Sequence, residues 1–211
     1  DMAEFFNRQW RLPNNENKNK QSSYSMDFDG SSSVINLGNT NAVKLGAGDF
    51  TFSAWINPNS WGSGYEGIYS NNSTNGVFIG KDNAGNFVLR ITSVSNVISY
   101  STLPTVNTWT HICITRLNGT CTLYYNGSSV ATGSSTQNFN ANTNVYIGGD
   151  PGTGPSTSAL MNGQIDGVSI FDYALSSSQV TTLYGSSSTG IGNPMSLSPK
   201  PVAYYPLGDQ D

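Results

Sequence analysis

The chain has 211 residues, of which only 10% are charged, with a net charge of -4 and an isoelectric point near 4.7. That length holds one β-sandwich of ordinary size with terminal extensions, not two. Its nine Lys and Arg residues are scattered among Ser, Asn, Thr and Gly, which excludes nucleic acid as a partner, because displacing counterions takes clustered cations. No apolar run reaches a membrane span, so no membrane insertion is expected. The chain opens at Asp1 with no charged-then-apolar leader pattern, the start expected of a processed product or of a piece of a longer protein.

Residues 1–22 read as an N-terminal arm, with Phe5, Phe6 and Trp10 standing among polar residues ahead of a stretch, 13–18, too polar to pack. The arm either docks its aromatics on its own domain or serves as an interface for a neighbouring subunit or module. From residue 23 the pattern becomes that of a sandwich. Tyr24, Met26 and Phe28 alternate with Ser25, Asp27 and Asp29, and Val34, Ile35 and Leu37 follow a glycine turn. Phe50, Phe52, Ala54 and Ile56 give the cleanest alternation, with Trp55 on the other face, as in a central strand. Residues 58–75 form the longest stretch without a period. Short strands are then expected at 77–80, 87–91 and 97–100, with Asn- and Gly-bearing turns between them.

The strongest local signal lies at 109–127. Asn118-Gly119 accepts positive φ at both central turn residues, which suits the twist of an antiparallel pair, and Asn126-Gly127 marks a second turn leading into a third strand. A two-residue loop sets Arg116 opposite Cys121 and Cys113 opposite Tyr124. The only two cysteines then project from opposite faces, and free thiols are expected. Further strands are expected at 145–147 and 163–172. One short helix follows near 176–184, capped by Ser176 with Gln179 three residues on. Residues 186–200 read as a Ser/Gly/Pro linker, and 201–211 as a final strand or the start of a following module.

Trp109-x-His111 with a glycine turn and Leu123-Tyr124-x-Asn126-Gly127 resembles the central hairpin of laminin G-like, concanavalin A-like jelly rolls. Four more stretches agree in order: Tyr24 to Gly30, Phe50 to Pro58, Val145 to Asp150, and Gly163 to Phe171 with Ala174-Leu175-Ser176. The resemblance covers about residues 24–184. It implies an all-β, antiparallel β-sandwich over 23–185 with one short helix. Similar Ser- and Asn-rich modules occur in surface adhesins and in structural proteins of marine phages. The resemblance thus implies an extracellular, cell-surface or virion-surface setting.

The fold also hosts glucanases, which carry paired glutamates on one strand to attack a glycosidic bond from two sides. Here Glu4, Glu16 and Glu66 lie in separate stretches, so no enzyme is expected. A serine triad needs a histidine, and the only one, His111, falls at what the resemblance makes a packing position. Zinc ligand spacing is lacking. Calcium is the metal to consider. In similar jelly rolls the stretches holding Asp27, Asp29 and Asp166 run side by side, and their carboxylates with turn carbonyls suit a structural Ca2+. The alternative is that they face water or cap turns.

Glycan binding needs an aromatic face beside amide and carboxylate groups. Trp61, Tyr65, Glu66, Asn71 and Asn72 supply these in the 58–75 loop, with Asp150 opening a neighbouring wall. The alternative is a loop pinned by its own tryptophan. The sequence therefore suggests a non-catalytic module binding a glycan or cell-surface ligand. Its alternative is a structural assembly subunit of a fibre, filament or capsid decoration. In that reading the termini join a homo-oligomer or a neighbouring module.

Overall fold

A computed structural model of the protein describes residues 25–71, 76–92, 94–150, 159–186 and 191–207. The aromatic arm at 1–22 and Asn72 lie outside the described residues. Two antiparallel sheets face each other. The first runs β1 (Met26–Asp29), β12 (Asn162–Phe171), β3 (Phe50–Pro58), β8 (Thr110–Leu117), β9 (Thr120–Tyr125) and β10 (Ser128–Ser134), with β13 (Ala203–Tyr205) also on β12. The second runs β2 (Ile35–Gly38), β11 (Val145–Ile147), β4 (Glu66–Ser70), β5 (Val77–Lys81), β6 (Phe87–Ile91) and β7 (Ser95–Tyr100).

The period-two positions read from the sequence fill the space between the sheets. Phe28, Phe52, Ile56, Ile79, Leu89, Ile114, Leu123 and Ile165 are all buried in one cluster. The β8–β9 hairpin has the expected register, with Leu117 opposite Thr120, Arg116 opposite Cys121 and Cys113 opposite Tyr124. Its turn holds Asn118 at φ 49° and Gly119 at φ 82°, the left-handed conformations that the twist of the pair demands. Both cysteines are free and buried on opposite faces, Cys121 in the main core and Cys113 in a second cluster.

Arg116 closes one end of the core. Its guanidinium lies 4.8 Å from the ring centroid of Phe50 and 4.6 Å from that of Phe139. It donates to the carbonyl oxygens of Gly46, Gly48 and Gln137. A buried cation is tolerated there because its N–H groups are paired and its faces covered by rings.

The outer face of the first sheet is covered. Helix α1 (Ser177–Tyr184) starts in the expected capping box of Ser176 and Gln179 and lays Val180 and Leu183 against Cys113, Tyr124, Phe171 and Leu175. The stretch expected as a linker, 186–200, lies against the domain in its described part. The Gly192 N–H donates to the Leu183 carbonyl, Pro194 is buried, and Leu197 packs on the same cluster. Composition gave no sign of this, since two apolar anchors suffice to hold a Ser-rich chain down. Residues 203–205 then pair with β12 at Val168 to Ile170, end to end with β1 along the same edge.

Candidate functional site

Among the described residues no helix covers the second sheet, and its outer face is where loops and strands assemble a polar platform. On β5 and β6 the residues between core positions point outward: Phe78, Val88 and Arg90. Tyr65 and Ala159 pack over Phe78 and Val88, which turns an apolar strip into a base. Tyr65 meets Phe78 edge-on at 5.7 Å between ring centroids, and the guanidinium of Arg90 lies 5.8 Å from the Tyr65 centroid. Arg90 Nη1 donates to Asn96 Oδ1 at 3.0 Å. Asn96 Nδ2 approaches Asp82 Oδ2 at 3.4 Å, while Asp82 Oδ1 accepts from the N–H groups of Ala84 and Asn86. Tyr65, Arg90 and Asn96 are each half-buried.

Asn96 also stands at a groove of about 450 Å³ between β7 and the β8–β9 turn, lined by Val94, Ser95, Thr120, Ser134 and Thr136 among others. Its lining is hydroxyl, amide and aliphatic, and its size falls within that of small-ligand sites.

The loop before β4 is clamped to this platform. The Trp61 indole N–H donates to the Pro104 carbonyl at 2.9 Å and its ring packs on the main core. Glu66 accepts from the Gly62 N–H. Opposite it on β5, Lys81 donates to the carbonyls of Gly64 at 2.6 Å and Asp82 at 3.0 Å. Burial raises the proton affinity of the Glu66 carboxyl, against the Gly62 N–H and the charge of Lys81.

The structure thus brings Tyr65, Glu66 and Trp61 to one end of β4, with Trp61 turned inward. Asp150 joins them through its backbone. Asp150 and Ala159 exchange two hydrogen bonds, and the Gly67 N–H donates to the Ala159 carbonyl at 2.8 Å, which seats the base of the 150–159 loop beside Phe78. Asn71 lies at the other end of β4, fully buried, where its Oδ1 accepts from the Val77 N–H and closes the β4–β5 connection. Arg90, Asn96 and Asp82 were not singled out in the sequence. Their signal is the outward half of a strand alternation, visible only once the register with Tyr65 is known.

The three aspartates weighed for calcium do not converge. In the ladders Asp27 pairs with Gln164 and Asp29 with Asn162 on β12, and Asp166, two residues beyond Gln164 on the same strand, has Trp55 of β3 as its register partner. Asp29 Oδ1 accepts from the N–H groups of Ser31, Ser32 and Ser33, and Oδ2 from the Ser32 hydroxyl. These bonds hold its carboxyl well below the usual carboxylate range. Among the described residues no three His, Cys, Asp or Glu side chains gather as a metal site.

Beneath α1, Ser53 Oγ lies 2.8 Å from His111 Nε2. The imidazole sits between Trp55, 5.1 Å away, and Tyr184, 6.2 Å away. His111 Nδ1 has no hydrogen-bond partner among the described residues, and burial pushes its pKa down to about 3. Both side chains are almost fully buried. The pair lacks the orienting carboxylate and the access that a nucleophilic serine needs.

A family model described as the concanavalin A-like lectin/glucanases superfamily matches residues 29–181. No curated protein matches the chain in sequence. Among solved structures, a native heptameric SAP-like pentraxin from Limulus polyphemus shares 20% identity, with 88% of this chain and 91% of that one covered at a TM-score of 0.58. A putative carbohydrate binding protein from Bacteroides ovatus shares 15% identity over 88% of this chain and 52% of that one, at 0.59. Domain 4 of AbnA, an extracellular arabinanase from Geobacillus stearothermophilus, solved with arabinotriose, shares 18% identity over 74% of each chain, at 0.52. The chain also matches sialidases, spanning 24% to 28% of their length.

Proposed function

The chain belongs to the concanavalin A-like lectin/glucanase superfamily, and from that premise we propose that it is a non-catalytic module that binds carbohydrate on the outer face of its second sheet. The observation that carries this reading is the fixed Tyr65–Arg90–Asn96 platform, whose Asn96 also borders a groove lined by hydroxyl and amide groups. An aromatic edge with neutral and charged hydrogen-bonding groups on rigid strands is what a polyol surface requires. The fold is shared by lectins and glycosidases, so the absence of turnover rests on side chains. Glu66 is engaged by Gly62, and the Ser53–His111 pair is sealed under α1. We place the module on an extracellular or virion-surface protein, in keeping with its weakly charged, Ser- and Asn-rich composition.

A glycan array run with and without chelator tests this. Binding to a defined set of glycans that Tyr65→Ala abolishes and chelator leaves intact is the expected result. No glycan retained above background would overturn the reading.

A second reading, an assembly subunit, is favoured by one feature: β1 and β13 lie in tandem on one edge of β12, with no further strand beyond them among the described residues. Edges of that kind pair with other chains. If light scattering gives the same oligomeric state with and without residues 1–22, assembly through the N-terminal arm is excluded.

A further inference from the structure

We propose that the Nε/Nη2 edge of Arg90 receives a carboxylate, so that the ligand of this face is a glycan containing an acidic sugar. The inference rests on the carbohydrate-binding reading above and narrows it. Arg90 leaves β6 on the outer face, half-buried, with Tyr65 against its guanidinium at 5.8 Å. Among the described residues its guanidinium makes one hydrogen bond, from Nη1 to the neutral Asn96 Oδ1. That bond and the Tyr65 ring fix the guanidinium plane, so little side-chain freedom remains to be lost on binding.

The surrounding acids do not neutralise it. Among the described residues no carboxylate lies within ion-pair distance of Arg90. On the neighbouring elements, Asp82 is held through Oδ1 by the Ala84 and Asn86 N–H groups and through Oδ2 by Asn96 Nδ2 at 3.4 Å, on the Nη1 side of Arg90, and Glu66 is held by Gly62 with Lys81 opposite. Nε and Nη2 are a parallel pair of donors, the geometry that matches the two oxygens of a carboxylate. A net charge of -4 with nine scattered cations argues against a densely sulfated polymer. One carboxyl at a time is what this face can take.

The test uses two matched pairs: tetragalacturonate with its methyl ester, and 3′-sialyllactose with lactose, each titrated calorimetrically at low salt. The wild-type chain is expected to bind the acid member of at least one pair roughly tenfold tighter, and which pair responds separates uronate from sialate chemistry. Arg90→Gln should bring the acid-to-neutral ratio to about one at unaltered melting temperature. Arg90→Lys, which keeps the charge but not the fork, should lose most of the preference. Equal binding of both members in both pairs, or a preference that survives Arg90→Gln, overturns the inference. Neutral binding that is sensitive to Tyr65→Ala without any acid preference sinks the carboxylate assignment and leaves the carbohydrate reading standing. Binding of none of the four also sinks it, and the array then decides the broader reading.

Discussion

The indole N–H of Trp61 donates to the Pro104 carbonyl across 43 positions of sequence, with the ring packed on the core. This residue therefore clamps the loop that delivers Tyr65, while its ring stays partly exposed. Trp61→Ala should cost about 2–3 kcal/mol in urea denaturation, less than for a fully buried tryptophan because the side chain is half-exposed. A variant with unchanged stability but no glycan binding would return Trp61 to the ligand.

Glu66 titrates against the fold. Its carboxyl is raised above the ordinary 4.5 by burial, so just above pH 4.5 the folded chain holds a proton that the unfolded chain has begun to lose. Its contribution to stability falls as pH rises through that window. Glu66→Gln should therefore raise the melting temperature at pH 8, with the gain shrinking below pH 4.5. A lower melting temperature at pH 8 would mean that attraction to Lys81 outweighs burial.

His111 acts in the opposite sense. Its pKa is pushed from 6.5 down to about 3 by burial, so between those values the unfolded chain binds the extra proton. Stability from this group is present above pH 6.5 and is lost as pH falls toward 3. Melting temperatures from pH 7 to pH 4 should fall more steeply in the wild type than in His111→Gln. Parallel profiles would show that the imidazole is not the acid-sensitive group.

Cys113 and Cys121 are both fully buried on opposite faces of one hairpin. Burial raises both thiols, Cys121 to about 11. A thiol reagent should label neither in the native protein and both after denaturation, and reductant should leave the melting temperature unchanged. A count below two after denaturation without reductant would indicate a disulfide.

Local chemistry made the framework legible. Asn118-Gly119 and Asn126-Gly127 supply positive φ where the turns need it, Ser176 and Gln179 cap the helix, and the alternation at 50–56 assigns faces without ambiguity. The site was legible only in part. Tyr65 and Glu66 were singled out, but their partners depend on register, and β4–β5 and β6–β7 each shift by a bulge, at Gly67/Tyr69 and Leu89/Arg90. A one-residue shift changes which side chain meets Tyr65. Nor does local sequence reveal that a distant carbonyl at Pro104 draws Trp61 inward, or that Asp29 spends its carboxylate on three serine N–H groups.

The most direct test of the account is a backbone amide map of the isotopically labelled chain titrated with the best array glycan. Shifts gathered at Tyr65, Arg90, Asn96 and the groove beside Thr120 are the result this account predicts. Shifts gathered instead on α1 and the first sheet, with the second sheet silent, would contradict it.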